Sequence, residues 1–170
     1  MTLSEINALS AEEAGRTLER CCGSREWVRR MILSRPFQSP GDLYSKSESI
    51  WSSLTDKDWK EAFAHHQQIG SLHSPQEKFT STRTWAQEEQ SGTATASEPT
   101  LRALAADNIE YERKFGYMFI VCATGKSGDE MHSLLKDRLQ NHPDVELRVS
   151  AAEQAKITRL RLEKLLQERE

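Results

Sequence analysis

Apolar residues recur along most of the chain at the three-and-four spacing of amphipathic helices, and caps, prolines and glycines punctuate that spacing. The stretch SAEEAGRTLERCC reads as a first helix, with Ser10 as N-cap, Glu13 three residues on and Gly23 as its stop. Ser24 caps SREWVRRMILSRPF, which Pro36 ends and in which Trp27 and Met31 share a face. A third helix, in SPGDLYSKSESIWSSLT, starts near Pro40. Thr55 with Asp58 opens a fourth, which carries the adjacent His65 and His66 and closes at Gly70. Residues 71–79 are polar and loop-like. A short helix follows in TWAQEEQSGT, where Thr84 can cap and Gln87 sits three residues later. Pro99 stands at the start of a helix in SEPTLRALAADNIEYERKFGY, to which Leu101, Leu104, Ala105, Ile109 and Tyr111 supply apolar surface. Ser127 and Glu130 read as a capping box for SGDEMHSLLKDRLQN, and Pro143 begins a long final helix reaching about Glu168.

One stretch breaks the period. YMFIVCATG is a continuous apolar run of β-branched and aromatic residues ended by Gly125, too short for a helix of its own. It reads as an extended buried segment whose main-chain groups lack helical partners, so that a ligand can use them. The pattern as a whole predicts an all-α protein: a single compact multi-helix domain over residues 1–170 with one short extended segment.

Composition narrows the function classes. A chain of 170 residues, 36% of them hydrophobic, can bury a core of its own. A formal net charge of −3 lacks the basic excess that phosphate neutralisation requires, which argues against a nucleic-acid partner. No apolar run approaches a membrane span, and MTLSEINALS lacks the basic-then-apolar layout of a secretory signal, so a cytoplasmic protein without a membrane partner is expected. Three cysteines, two of them adjacent as Cys21 and Cys22, suit neither a disulfide framework nor a zinc site and read as reduced, partly buried thiols. Neither HH nor CC has the spacing of a metal site, so none is expected. ATGKSGDE lacks the earlier glycine of a phosphate loop, and no nucleophile elbow or Cys-His pattern points to acyl transfer.

Projection on helices separates three candidate residues from their neighbours. Trp59, Ala62, Phe63 and His66 fall on one stripe, while His65 falls among Glu61, Asp58 and Lys57, so His66 is the inward histidine. Burial disfavours imidazolium, and a neutral ring that accepts on one nitrogen and donates from the other suits proton transfer. The alternative is a structural histidine satisfied by a backbone carbonyl. Arg161 has Ile157 one turn before it and Leu165 one turn after, so this cation needs an anionic or carbonyl partner, in a structural pair or as an anchor. Arg159, facing Ala155 and Glu163, can reach water. Glu89 lies one turn after Trp85 and reads as partly buried or as a solvated carboxylate, while Glu88 points elsewhere.

Taken together, CCGSREWVRRM with RPF, AFAHHQQIG, TWAQEEQSGT, NIEYERKFGYMFIVCATGKSGDEM and EQAKITRLRLEKLL resemble the 2-oxo-4-hydroxy-4-carboxy-5-ureidoimidazoline (OHCU) decarboxylase family, nearly end to end. The resemblance implies an all-α, homodimeric carboxy-lyase of urate degradation that needs no cofactor and takes a small ureidoimidazoline substrate to (S)-allantoin. By the same resemblance His66 matches the catalytic histidine, Glu89 and Gln90 the Glu-Gln pair, Arg161 the arginine of the final helix, and Phe119, Ile120 and Val121 the segment whose main chain meets substrate. Two positions depart from the family pattern. Gln67 stands where the family has proline, which frees φ and restores a backbone donor after His66, and Ala86 stands where some members carry serine. The alternative readings are a catalytically retired member that binds a ligand and, without the resemblance, a helical interaction module docking its last helix on a partner.

Overall fold

The structure, a computed structural model, describes residues 1–70 and 83–167. Among these there are ten helices and no strand: α1 Leu3–Ala8, α2 Ala11–Glu19, α3 Arg25–Leu33, α4 Pro40–Ser52, α5 Asp56–Phe63, α6 Arg83–Glu89, α7 Ser91–Ala94, α8 Glu98–Phe115, α9 Gly128–Leu139 and α10 Pro143–Gln167. They pack as two compact units, Met1–Ala62 with Ala155–Glu170, and Phe63–Gln154. No helix among the described residues is long and apolar enough to cross a membrane.

Local capping chemistry sets most boundaries. Ser10 and Glu13 form the reciprocal capping box of α2, Ser24 accepts from the Trp27 amide, and Ser39 caps α4 with Pro40 at its first turn. Ser97 caps α8, which Gly116 closes at φ 81°, a left-handed conformation open to glycine. Ser127 accepts from the Glu130 amide at the start of α9, which gives one half of the expected box.

The first unit buries Leu18, Trp27, Met31, Leu43 and Trp51 from α2 to α4, together with Leu162 and Leu165 of α10. The Trp27 indole donates to the Ser47 carbonyl at 3.3 Å and the Trp59 indole to the Trp51 carbonyl at 2.9 Å, so the buried Trp27 and the half-buried Trp59 each have their one polar atom satisfied.

The second unit is built round a buried charge. The Arg138 guanidinium of α9 lies 2.5 Å from the Glu146 carboxylate of α10 and donates to the Ile120 carbonyl and to Ser150 Oγ, the latter at 2.8 Å. Glu146 also accepts from the Tyr111 hydroxyl at 2.5 Å and from the Asn141 amide at 2.8 Å. Burial, and then the bond to Glu146, holds that hydroxyl protonated well above the ordinary tyrosine range, so it stays a donor. Arg138 lies 4.6 Å from the Phe119 ring centroid, and Tyr111 meets Phe119 edge-on at 5.5 Å. This network holds the non-helical run at 118–123, where Phe119, Ile120, Val121, Cys122 and Ala123 are all buried.

Several sequence expectations are corrected. An additional helix, α1, precedes the first expected one, and its reciprocal box between Thr2 and Glu5 was present in the sequence. Helix α2 ends at Glu19 rather than at Gly23, since the amides of Cys21 and Cys22 both turn back to the Leu18 carbonyl. Helix α5 ends at Phe63, so neither histidine is helical. Helix α6 already includes Thr84, which is therefore not its cap. The loop expected at 71–79 and the final residue of the last helix, Glu168, lie outside the described residues. On α8, Ala105 and Ile109 are exposed, and the buried row is Leu104, Asn108 and Tyr111. Asn108 takes the inward place because its amide donates to the Ile69 carbonyl at 3.3 Å.

Replacing Arg138 by Met leaves Glu146 buried without its counter-charge, and the expected loss is about 3–5 kcal/mol. Urea unfolding followed by far-UV circular dichroism measures it, and the double substitution Arg138→Met with Glu146→Leu should recover part of that loss.

Candidate functional site

His66 lies three residues past the end of α5, in a turn closed by its own amide on the Phe63 carbonyl at 3.2 Å. Its ring is half-buried, whereas His65 is exposed. His66 Nε2 lies 2.5 Å from Oε1 of Gln154, whose side chain is completely buried on α10. Gln154 ends a row of inward polar residues, Glu146, Ser150 and Gln154, spaced four apart on α10 and each with no exposed surface.

The turn after His66 is held by side-chain amides. Gln90, directly after α6, uses both ends of its side chain: Oε1 accepts from the Gly70 amide at 3.2 Å, and Nε2 donates to the Gln67 carbonyl at 3.3 Å. With the Asn108 bond to Ile69, three such contacts fix residues 67–70. The Gln67 side chain is 8% exposed, and neither its Oε1 nor Asn108 Oδ1 meets a hydrogen-bond donor among the described residues.

Glu89, the last residue of α6, is buried. Close approach behind it requires glycine. A Cβ on Gly92 of α7 would sit 1.9 Å from the Lys126 carbonyl oxygen, in the turn that follows the non-helical run. Burial pushes the Cys122 thiol up, Lys126 opposes that shift, and the carboxylates of Glu153 and then Glu89 add to it, which puts both within electrostatic reach of the run. Within that run Phe119 faces Arg138 and Tyr111, and the Ile120 carbonyl is engaged by Arg138.

His66, Glu89, Gln90 and Phe119 to Val121 thus belong to the second unit, and Arg161 belongs to the first. There its buried guanidinium donates to the Arg20 carbonyl at 3.2 Å, which supplies a carbonyl partner of the kind the sequence demanded. It also lies near Cys22, whose thiol burial pushes up to about 12 against the opposing effect of Arg161. Arg159, half-exposed, bonds Glu163 at 2.7 Å and lies 3.8 Å from the Tyr44 ring centroid. Sequence reasoning missed Gln154, Arg138, Glu146 and Asn108. A polar residue at every fourth position of α10 was the one signal for two of them.

The molecule is therefore an all-helical protein in which a histidine, held by an amide, sits in a turn pinned by further amides. A family model described as OHCU decarboxylase matches residues 7–163, and the chain belongs to that family. It is 40% identical over 149 residues to the uric acid degradation bifunctional protein TTL of Arabidopsis thaliana, covering 88% of this chain and 46% of that one. It thus spans about half the length of that curated relative. The 2-oxo-4-hydroxy-4-carboxy-5-ureidoimidazoline decarboxylase of Amia calva is 26% identical, with 98% of this chain and 95% of that one covered. A crystal structure of OHCU decarboxylase in the presence of (S)-allantoin superposes with a TM-score of 0.76 at 38% identity, over 88% of this chain and 96% of that one. The all-α expectation and the family resemblance both hold.

Gln67 carries a buried oxygen without a donor among the described residues, an arrangement costing about 1–3 kcal/mol. Gln67→Met should remove that cost and raise Tm, by about 2–4 °C for each kcal/mol relieved, in scanning calorimetry of ligand-free protein. A lowered Tm would show that the amide is satisfied.

Proposed function

We propose that this chain catalyses the cofactor-independent decarboxylation of OHCU to (S)-allantoin, working as a homodimer. The observation that carries the reading is His66: a half-buried imidazole bound at Nε2 by an uncharged amide, at the position that the family resemblance gives to the catalytic histidine.

Breaking the bond between the quaternary ring carbon and its carboxylate releases CO₂ and leaves an electron pair, which must pass into the adjacent carbonyl or imine system. A proton then arrives on one face of the ring. Stabilising that enolate-like state is the catalytic task, and only interactions that strengthen as the charge moves accelerate it. A cation gripping the departing carboxylate would stabilise the ground state instead. Arg161 is therefore assigned, on the family resemblance, to a ring or ureido carbonyl oxygen. His66 binds the 4-hydroxyl and carboxylate region and acts as general acid and base. Glu89 accepts from ring N–H groups. Main-chain groups around Phe119 to Val121 orient the ureido arm. Gln90 joins them in that role while keeping residues 67–70 in place.

The test is to generate fresh substrate from urate with the two preceding enzymes of the pathway and to follow the circular dichroism of the allantoin formed. The protein is expected to produce an (S)-allantoin signal far faster than the spontaneous racemic background. His66→Ala should lower kcat by about 10²–10⁴ with the fold intact. Arg161→Ala should lower kcat/KM by about 10- to 100-fold, as loss of a charged hydrogen bond implies. Folded protein with no signal above background, yet stabilised thermally by allantoin, would be a retired member that keeps its ligand site.

A further inference from the structure

Gln154, whose side chain is completely buried, meets His66 at a ring nitrogen rather than through the backbone. The atom it presents is an amide oxygen, which accepts and cannot donate, so the proton of this bond belongs to His66 Nε2. The neighbouring members of the same helical row have no freedom to exchange partners. Ser150 is bonded by Arg138 and Tyr111, and Glu146 by Arg138, Tyr111 and Asn141. The α10 backbone that carries Gln154 is thereby anchored two turns upstream. On the histidine side, the turn is anchored by Gln90 and Asn108. Both ends of the contact are thus held by independent hydrogen bonds, and the contact itself spans 88 positions of sequence.

We infer that Gln154 is a positioning residue for the reaction: it holds neutral His66 in the Nε2–H tautomer and thereby makes Nδ1 the nitrogen that exchanges a proton with substrate. An amide is suited to this in a way a carboxylate is not. It fixes ring orientation and tautomer, as the second partner of a functional histidine commonly does, without adding a negative charge that would favour imidazolium. The inference rests on the proposed role of His66, but it makes a claim about the ring that stands apart from turnover.

The experiment therefore begins with the tautomer. Long-range ¹H–¹⁵N spectra of uniformly labelled protein near neutral pH report which nitrogen of each of the five histidines carries the proton, and His66→Ala assigns the His66 signals. A predominantly Nε2–H ring in the wild type is expected; a predominantly Nδ1–H ring overturns the inference whether or not the protein is active. Gln154→Leu should then convert His66 to a mixture of tautomers and lower kcat by about 10- to 100-fold with KM within about twofold, in the range typical of lost outer partners. Gln154→Glu, which keeps an oxygen acceptor at the same reach but adds the charge that favours imidazolium, should keep the proton on Nε2 while moving the pH dependence of kcat to higher pH. An active wild type whose Gln154→Leu variant folds and retains both tautomer and kcat overturns the positioning role. Should Gln154→Leu not fold, Gln154→Glu decides: a folded Glu variant whose His66 ring has become Nδ1–H overturns it. A wild type that shows the Nε2–H ring but no turnover removes the decarboxylase reading while the hydrogen bond stands.

Discussion

The charge of Arg138 is the constraint round which the second unit is arranged. A guanidinium that far from water must find donors' partners on every side, and it does so in the Glu146 carboxylate, the Ser150 hydroxyl, the Ile120 carbonyl and the ring faces of Phe119 and Tyr111. These partners come from α8, α10 and the non-helical run, so satisfying one cation on α9 ties three other pieces of chain to it. A buried pair of this kind contributes little net stability over apolar packing, but it tolerates almost no rearrangement. The run at 118–123 depends on that intolerance. Its main chain forms neither helix nor strand, and the Arg138 bond to the Ile120 carbonyl supplies part of the hydrogen bonding that regular structure would have given it.

The histidine turn is held by a softer version of the same device. Helix α5 stops at Phe63 and its chain continues through exposed Ala64 and His65 before His66 turns inward. Nothing in the residue types from Ala64 to Gln68 forbids another helical turn. What ends the helix is tertiary: Gln90 takes the Gln67 carbonyl and the Gly70 amide, and Asn108 takes the Ile69 carbonyl, which offsets the lost helical bonds. His66 consequently sits on a segment shaped by its neighbours, and Gly92 is the position that lets α7 close against the Lys126 carbonyl beside them.

These origins decide what the sequence revealed. Caps at Ser10, Ser24, Ser97 and Ser127 were legible or nearly so, because a cap is completed within three residues of itself. The non-helical buried run announced itself by composition. His66 was separated from His65 by a helical projection, yet the inward direction comes from a turn, so the projection reached that orientation through the wrong local structure. Glu146, Gln154 and Asn108 were missed because each is buried by a partner remote in sequence or supplied by another element, while Val145, next to Glu146, is 51% exposed. A pattern reader places Val145 inside and Glu146 outside; the Arg138 charge inverts that choice.

The same contrast bears on the chemistry proposed for the site. The groups that fix the histidine turn are uncharged amides: Gln154 on the ring, and Gln90 and Asn108 on the main chain. Amides present donors and acceptors in fixed geometry without a net field, so they orient an imidazole without deciding its charge.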